Sequence, residues 1–312
     1  MGNVNQARLL SHALTTVASD DQFIHQIADR IKREGDKPHV SVEQQLALLE
    51  QLSQLEFGRF LLQNQGINGY WTHYMLTYPW VHQKPEGQII NPYGDIENFM
   101  LTAAPTMLAT QQRFRIFLEQ NQLQVREDAK LACVPCGVMS ELLYLDYQGI
   151  STIELVGIDY DVGALSEAKK LADEKKLSSF LTLEQGDAWH LGIENAFDLI
   201  SSNGLNIYEP DPEKVKGLFA EFYAALKPGG KLVTSFLTPP PGMTEVCEWD
   251  MRKINQQHAL FQQIIFADII QLKCRYFQSS REVASQLESI GYRDITFFYD
   301  EARLFPTVVA FK

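Results

Sequence analysis

From about Arg126 to Lys312 the sequence alternates short apolar runs with helical stretches, and this rhythm constrains the fold more than any single motif. A strand that returns to its sheet by way of a helix runs parallel to its predecessor, so sustained alternation builds a mostly parallel sheet buried on both faces. Strands are expected at 129–134, 153–158, 180–184, 197–201 and 231–237. The intervening helices should begin near Gly137, Asp161, Ala188 and Asp211, where Asp211-Pro212 sets a capping carboxylate ahead of a proline at the first helical position. Ser279-Ser280-Arg281-Glu282 announces another helix, followed by two apolar runs, Asp294 to Tyr299 and Thr307 to Phe311. Only a short connection around Pro306 joins these runs, too short for a parallel crossover, so they pair antiparallel or not at all.

Ahead of Gln124 the periodicity is helical, as in Leu9, Leu10, Ala13, Leu14, Val17 and again in Leu46, Leu49, Leu52, Leu55. The capping box Ser41-Val42-Glu43-Gln44 starts a helix expected to reach Gln63, with Gly66 as its stop. Pro105 opens a further helix carrying Met107, Leu108, Phe114 and Phe117. Between them Gly69 to Pro92 reads as an aromatic loop: Tyr70, Trp71, Tyr74, Tyr78, Trp80. The chain therefore divides into a helical N-terminal cap, 1–125, and an α/β unit, 126–312, with a helical insert at about 239–278 that opens on Pro239-Pro240-Pro241-Gly242. That insert is either a lid over the sheet edge or a packed extra helix or dimer surface.

With 312 residues, 45% hydrophobic and 11% aromatic, the chain can fill a sizeable core, which excludes disorder and low-complexity classes. A net charge of −12 with no gathered Lys/Arg block disfavours nucleic acid and anionic membranes as partners. Cys133, Cys136, Cys247 and Cys274 make no disulfide framework, and the N-terminus lacks a signal-peptide pattern, so a cytoplasmic protein without a lipid anchor is expected. The most apolar candidate span, Leu260 to Leu272, is interrupted by polar residues and too short to cross a bilayer.

In an open parallel sheet, ligands collect beyond the carboxyl ends of the strands. Four such ends stand out. Val134-Pro135-Cys136-Gly137 turns from the first strand into a helix; Val156-Gly157-Ile158-Asp159, followed by Tyr160, ends the second with a carboxylate 22 positions after Gly137. An acceptor-only carboxylate suits a ribose diol. Asp187-Ala188-Trp189 can meet an exocyclic amine and a ring nitrogen, while Asn203-Gly204 ends the fourth strand. Order and spacing make these ends a candidate nucleoside site.

With Phe197-Asp198-Leu199-Ile200 and Leu226-Lys227-Pro228-Gly229-Gly230-Lys231-Leu232, these residues make the run 126–312 resemble the class I S-adenosylmethionine-dependent methyltransferases. The resemblance implies a doubly wound α/β fold, a seven-stranded, mostly parallel sheet with an antiparallel last strand, and S-adenosyl-L-methionine as cofactor. It assigns Asp159 to the ribose, Asp187 and Ala188 to the adenine, the 135–137 amides to the methionine tail, and Asn203 and Gly204 to the transfer site. The helical part is similar to the variable caps of such enzymes, with Tyr70 on the roof. At the first turn the sequence departs from the family: Cys133 stands at the acidic position, and Pro135 and Met139 stand at two of three glycines.

Cys133-Val134-Pro135-Cys136 also permits a thiol–disulfide reading, but Cys133 falls inside the apolar strand, where burial makes a thiol inert. No second close cysteine pair completes a zinc set. His73 and Tyr208 are the candidate proton-handling residues, although in-line methyl transfer can proceed by positioning and exclusion of water. The expected activity is methyl transfer to a small-molecule acceptor that is not strongly anionic, with a homodimer left open. Non-catalytic binding modules and nicotinamide-dependent oxidoreductases are the alternatives, the latter opposed by the missing Gly-x-Gly-x-x-Gly loop.

Overall fold

The computed structural model describes residues 21–81, 95–274 and 276–312. The helix expected through Leu9–Val17, and Tyr93 with Pro92, lie outside the described residues. Among the described residues six helices precede the sheet: α1 (Gln22–Glu34), α2 (Val42–Ser53), α3 (Glu56–Asn64), α4 (Gly69–Val81), α5 (Ile96–Thr102) and α6 (Pro105–Gln122). Ser41 and Gln44 close the capping box on α2. The helix expected to run on to Gln63 instead breaks at Gln54-Leu55. Glycine at position 58 makes the break compact, since a Cβ there would stand 2.2 Å from the Leu52 carbonyl oxygen. The left-handed stop after α3 is Gln65 (φ 54°), not Gly66.

The aromatic segment expected as a loop is the helix α4. Asn68 Oδ1 accepts the Trp71 N–H at 3.0 Å, an N-terminal cap masked in the sequence by the run of rings behind it. Trp71, Tyr74 and Tyr78 then recur at helical spacing and pack edge to face. Pro79 falls in the last turn, where it withholds one i→i−4 hydrogen bond near the helix end.

The sheet runs β1 (Ala129–Cys133), β2 (Ile153–Asp159), β3 (Leu181–Gln185), β4 (Phe197–Ser202), β5 (Leu226–Ser235), β6 (Arg293–Phe298) and β7 (Thr307–Phe311). Its order is β3-β2-β1-β4-β5-β7-β6, with β7 antiparallel to both neighbours and the other pairings parallel. Helices α7 (Ser140–Leu143), α8 (Val162–Glu174), α9 (Pro212–Ala225) and α11 (Ser280–Ile290) accompany it, with α10 (Gln256–Gln263) in the insert. Asp211 caps α9 ahead of Pro212. No helix forms at Ala188, because Asp187 turns its side chain onto the Trp189 N–H and closes a turn instead.

Period-2 alternation splits the strands between two cores. Ala132, Val156 and Ile200 face α9 and α11, while Leu131, Leu155 and Leu199 face α8 and Phe117 of α6. A third core joins α1–α6 to the insert through Phe261, Ile264, Ile265, Ile269 and Ile270. The insert's π-helical turn, Ile264–Ile270, is fixed by buried Asp268, whose carboxylate meets Lys37 Nζ and His39 Nε2, each at 2.8 Å. Arg30 donates to the Asp268 and Ile269 carbonyls beside it. Apolar packing and a shared ionic joint thus bind the insert to the helices ahead of the sheet.

Candidate functional site

The loop after β1 keeps a glycine-loop backbone with few glycines. Gly137 has φ 51° and Met139 φ 63°, both left-handed, and the Val134-Pro135 peptide is cis. A methionine in that conformation carries a cost of roughly 1 kcal/mol. Its side chain is wholly buried, and Gly157 supplies the room: a Cβ at 157 would stand 3.1 Å from Met139 Sδ and 3.2 Å from Cys136 Sγ. The glycine lost from the loop is matched by one on the neighbouring strand.

Asp159 ties that loop to β2. Its Oδ2 accepts the Gly137 N–H at 2.8 Å and its Oδ1 the Asp161 N–H at 2.9 Å. Tyr160 beyond it is exposed, with its backbone carbonyl accepting from Gln185 Nε2. Asp187 accepts from the Trp189 N–H at 3.0 Å and lies 3.1 Å from His190 Nδ1. Ala188 is buried, and Trp189 packs on the core beneath. The residues expected on the nucleoside side thus line up along the ends of β2 and β3.

Gly69, at the start of α4, approaches so closely that a Cβ on it would lie 2.8 Å from the Gly137 Cα. One turn on, His73 Nδ1 lies 2.8 Å from Ser140 Oγ. The cap is therefore seated on the loop, and together they enclose a cavity of about 830 Å3. Pro135, Cys136, Gly137, Asn203, Gly204, His73 and Tyr208 all reach its wall. Val134, buried, lies behind it, donating its N–H to Ser201. Asp159, Tyr160, Asp187, Ala188 and Trp189 are not on this wall. Tyr70 points away, half-exposed and packed edge to face on Trp71. The roof residues are accordingly Gly69, Thr72 and His73, while Trp71 and Tyr74 pack against the cap core.

Three polar groups meet on the wall beside the loop. Glu141 is buried, and burial raises its pKa above the ordinary carboxylate range; its Oε1 accepts from Asn203 Nδ2, and Cys133 Sγ lies 3.8 Å from its Oε2. The acid absent at position 133 is thus present eight residues later, against the same sulfur. Arg113 of α6, 3% exposed, donates to Ser235 Oγ at 3.0 Å and lies 3.8 Å over the Phe305 ring. Burial lowers its pKa to about 10, which leaves it cationic at neutral pH. Arg113 Nε and Asn203 Oδ1 are buried with no hydrogen-bond partner among the described residues. A buried orphan donor and a buried orphan acceptor bordering one cavity suit a zwitterion, an ammonium for the carboxylate and amide, a carboxylate for the guanidinium. The amino-acid end of S-adenosylmethionine is such a group, so the site fits it.

Sequence reasoning missed Arg113 and Glu141 as site residues. Arg113 carried a signal, a cation three and four positions from Thr110 and Phe117 on an otherwise apolar helix face; Glu141 had none beyond its place in the helix after the loop.

His73 is partly buried, and burial lowers its pKa, so the imidazole is neutral at pH 7. Tyr208 hydrogen-bonds Cys274, and burial holds its phenol well above the usual tyrosine range. Burial likewise raises Cys133 and Cys136 far above the range of reactive thiols, and both are unbridged. Among the described residues no group of three or more His, Cys, Asp or Glu side chains is placed to hold a metal ion, and no helix is long and apolar enough to cross a membrane.

Residues 132–230 match a family model described as a methyltransferase domain. A solved structure of a possible exported protein from Bordetella parapertussis is 41% identical, covers 96% of this chain and 97% of its own, and superposes with a TM-score of 0.87. A sterol 24-C-methyltransferase of Pneumocystis carinii is 28% identical over 174 residues, 55% of this chain but 41% of that protein. A carboxy-S-adenosyl-L-methionine synthase of Alteromonas mediterranea is 22% identical over 181 residues, 52% of this chain and 67% of that protein. The chain thus spans well under half the length of the first of these two relatives.

The seven-stranded, mostly parallel fold preceded by helices, together with the methyltransferase-domain match over residues 132–230, is similar to the class I S-adenosylmethionine-dependent methyltransferases. S-adenosyl-L-methionine is the cofactor that the methyltransferase-domain match implies.

Proposed function

We propose that the protein is an active enzyme that transfers a methyl group from S-adenosyl-L-methionine to a small-molecule acceptor held in the cavity between loop and cap. The observation that carries this reading is the continuity of the wall: one cavity runs from Gly137, Glu141 and Asn203 to the insert residues Trp249 and Phe266. Cofactor and acceptor can therefore share one continuous, largely apolar space.

In this reading Asp159, the acceptor-only carboxylate at the end of β2 that also receives the Gly137 and Asp161 amides, faces the ribose hydroxyls. Asp187 and Ala188 border the adenine. Glu141 and Asn203 hold the ammonium, and Arg113 the carboxylate, of the amino-acid end. Bound S-adenosylmethionine supplies a methyl group on a sulfonium, already activated for in-line displacement. The chain's own contribution is alignment of the acceptor and exclusion of water, worth several kcal/mol in favourable cases. His73, neutral and fixed by Ser140, is placed to receive a proton from the acceptor, and Tyr208 to orient it.

Calorimetric titration with S-adenosylhomocysteine, followed by transfer of labelled methyl from S-adenosylmethionine into a metabolite extract, tests the proposal. Binding together with a labelled small product is expected. Binding without turnover over a broad extract would favour a non-catalytic module, and no binding would sink the methyltransferase reading. The free thiols support a reducing, cytoplasmic setting, which cell fractionation checks.

A further inference from the structure

The acceptor half of the cavity carries its own chemical signature. Among the described residues on the wall, the charged ones are Arg113 and Glu141, and both lie at the loop end. Beyond them the wall is mostly apolar, with Phe57, Leu61, Met75, Met107, Phe266 and Leu272, and its other polar side chains are uncharged. Met251 and Leu260, 39% and 42% exposed, carry the apolar surface out to solvent. An ionised group placed here loses its hydration and gains no counter-ion.

Two of the hydroxyls that interrupt this wall, beside the amides of Gln256, Gln262 and Gln263, have a direction. Thr72 Oγ1 donates to the Asn68 carbonyl and Thr110 Oγ1 to the Thr106 carbonyl, each at 2.8 Å one turn back along its own helix. Both hydroxyls have spent their proton and present only lone pairs to the cavity. Gln262 Oε1 is occupied by the Thr106 N–H at 2.7 Å. The Tyr208 hydroxyl is engaged with Cys274. The two threonines call for a hydrogen-bond donor on an otherwise apolar ligand.

We propose that the acceptor is an uncharged, largely apolar molecule bearing at least one hydroxyl, whose body lies among α3, α4, α6 and the insert and whose hydroxyl is received by Thr72 and Thr110. This deepens the methyltransferase reading and rests on it for the word acceptor. The ligand rule itself depends only on the cavity.

The test is a matched panel measured by calorimetry on the full chain, with and without S-adenosylhomocysteine: 2-naphthol, its methyl ether, 2-naphthoate and 2-naphthylmethylammonium. Naphthol is expected to bind at least about tenfold more tightly than either ion, because burying an unpaired charge is so costly, and more tightly than the ether, which cannot donate. Thr72→Val should narrow the gap between naphthol and ether. Leu260→Lys, at an exposed position on the mouth, should leave S-adenosylhomocysteine binding unchanged while raising naphthoate relative to naphthol. Either ion binding as tightly as naphthol, an ether as good as naphthol, or no naphthol binding overturns the inference. Loss of S-adenosylhomocysteine binding by the parent protein instead defeats the methyltransferase reading, while the panel without it still reports on the cavity.

Discussion

Gly137 donates its backbone N–H to Asp159 Oδ2 at 2.8 Å, so the loop after β1 hangs from the carboxylate that ends β2. Asp159→Ala removes the acceptor for two part-buried amides, each costing up to roughly 1–3 kcal/mol when left unmade. S-adenosylhomocysteine affinity should fall more than tenfold and thermal stability should drop with it. Asp159→Asn, which keeps one acceptor oxygen, should recover part of the stability and little of the affinity. Calorimetry and thermal melts of the two variants separate these effects.

Gly69→Ala puts a methyl group 2.8 Å from the Gly137 Cα, a backbone atom that can yield only by moving the loop. Overpacking of this kind costs about 1–3 kcal/mol. Cofactor affinity is expected to fall by a larger factor than the folding constant, because the strain lands on the loop. Equal losses, read from ligand titration against denaturant unfolding, would contradict a cap seated on the cofactor loop.

Glu141 and Arg113 are assigned to the two charges of the cofactor's amino-acid end. Glu141→Gln and Arg113→Met should each weaken S-adenosylhomocysteine at least about tenfold, in line with about 1.5–3 kcal/mol for a hydrogen bond to a charged group. 5′-Methylthioadenosine, which lacks that end, should bind all three proteins alike. A parallel loss for both ligands would mean that the substitutions disturb the loop and not the recognition.

Lys231, near the start of the regular β5 ladder, donates to the carbonyl and side-chain oxygens of Gln120 at 2.7 and 3.1 Å. Burial lowers its pKa to about 8. Between pH 8 and the usual lysine range the unfolded chain holds more protons at this position than the folded one, so stability from this group rises with pH there. The stability of wild type relative to Lys231→Met should accordingly improve from pH 7.5 to pH 10. A flat difference in chemical denaturation across that window would show that Lys231 stays charged in the fold.

Strand positions, the antiparallel pairing of the last two runs and the cap on α9 were all legible, because each follows from periodicity or from local hydrogen bonding. Asn68 and the helix behind it were not. Rings on all sides of α4 abolish the amphipathic contrast by which a helix is seen, and they stand on its exposed as well as its buried positions, as at Tyr70 and Trp80. Asp187 misled in the opposite direction: its side chain satisfies its own turn, and local hydrogen bonding outcompeted helix formation. Within the site, the strand-end residues could be picked out because they follow the topology of the sheet. Arg113 and Glu141 answer to three-dimensional proximity across α6, α7 and the end of β5, which no spacing along the chain encodes.

The core that joins α1–α6 to residues 256–270 has a consequence for how the molecule is made. The N-terminal helices leave the ribosome first, yet Phe99 must wait for Phe261, its edge-to-face partner at 4.6 Å, until the sheet from β1 to β5 has been synthesised. Throughout that interval the apolar face of the early helices has no permanent cover, the condition under which nascent chains recruit chaperones or aggregate. The α/β unit can condense from contacts nearer in sequence, and the cap closes over it only when the insert arrives. Assembly order therefore runs against chain order: the segment born first is finished last, and the cavity does not exist until it is.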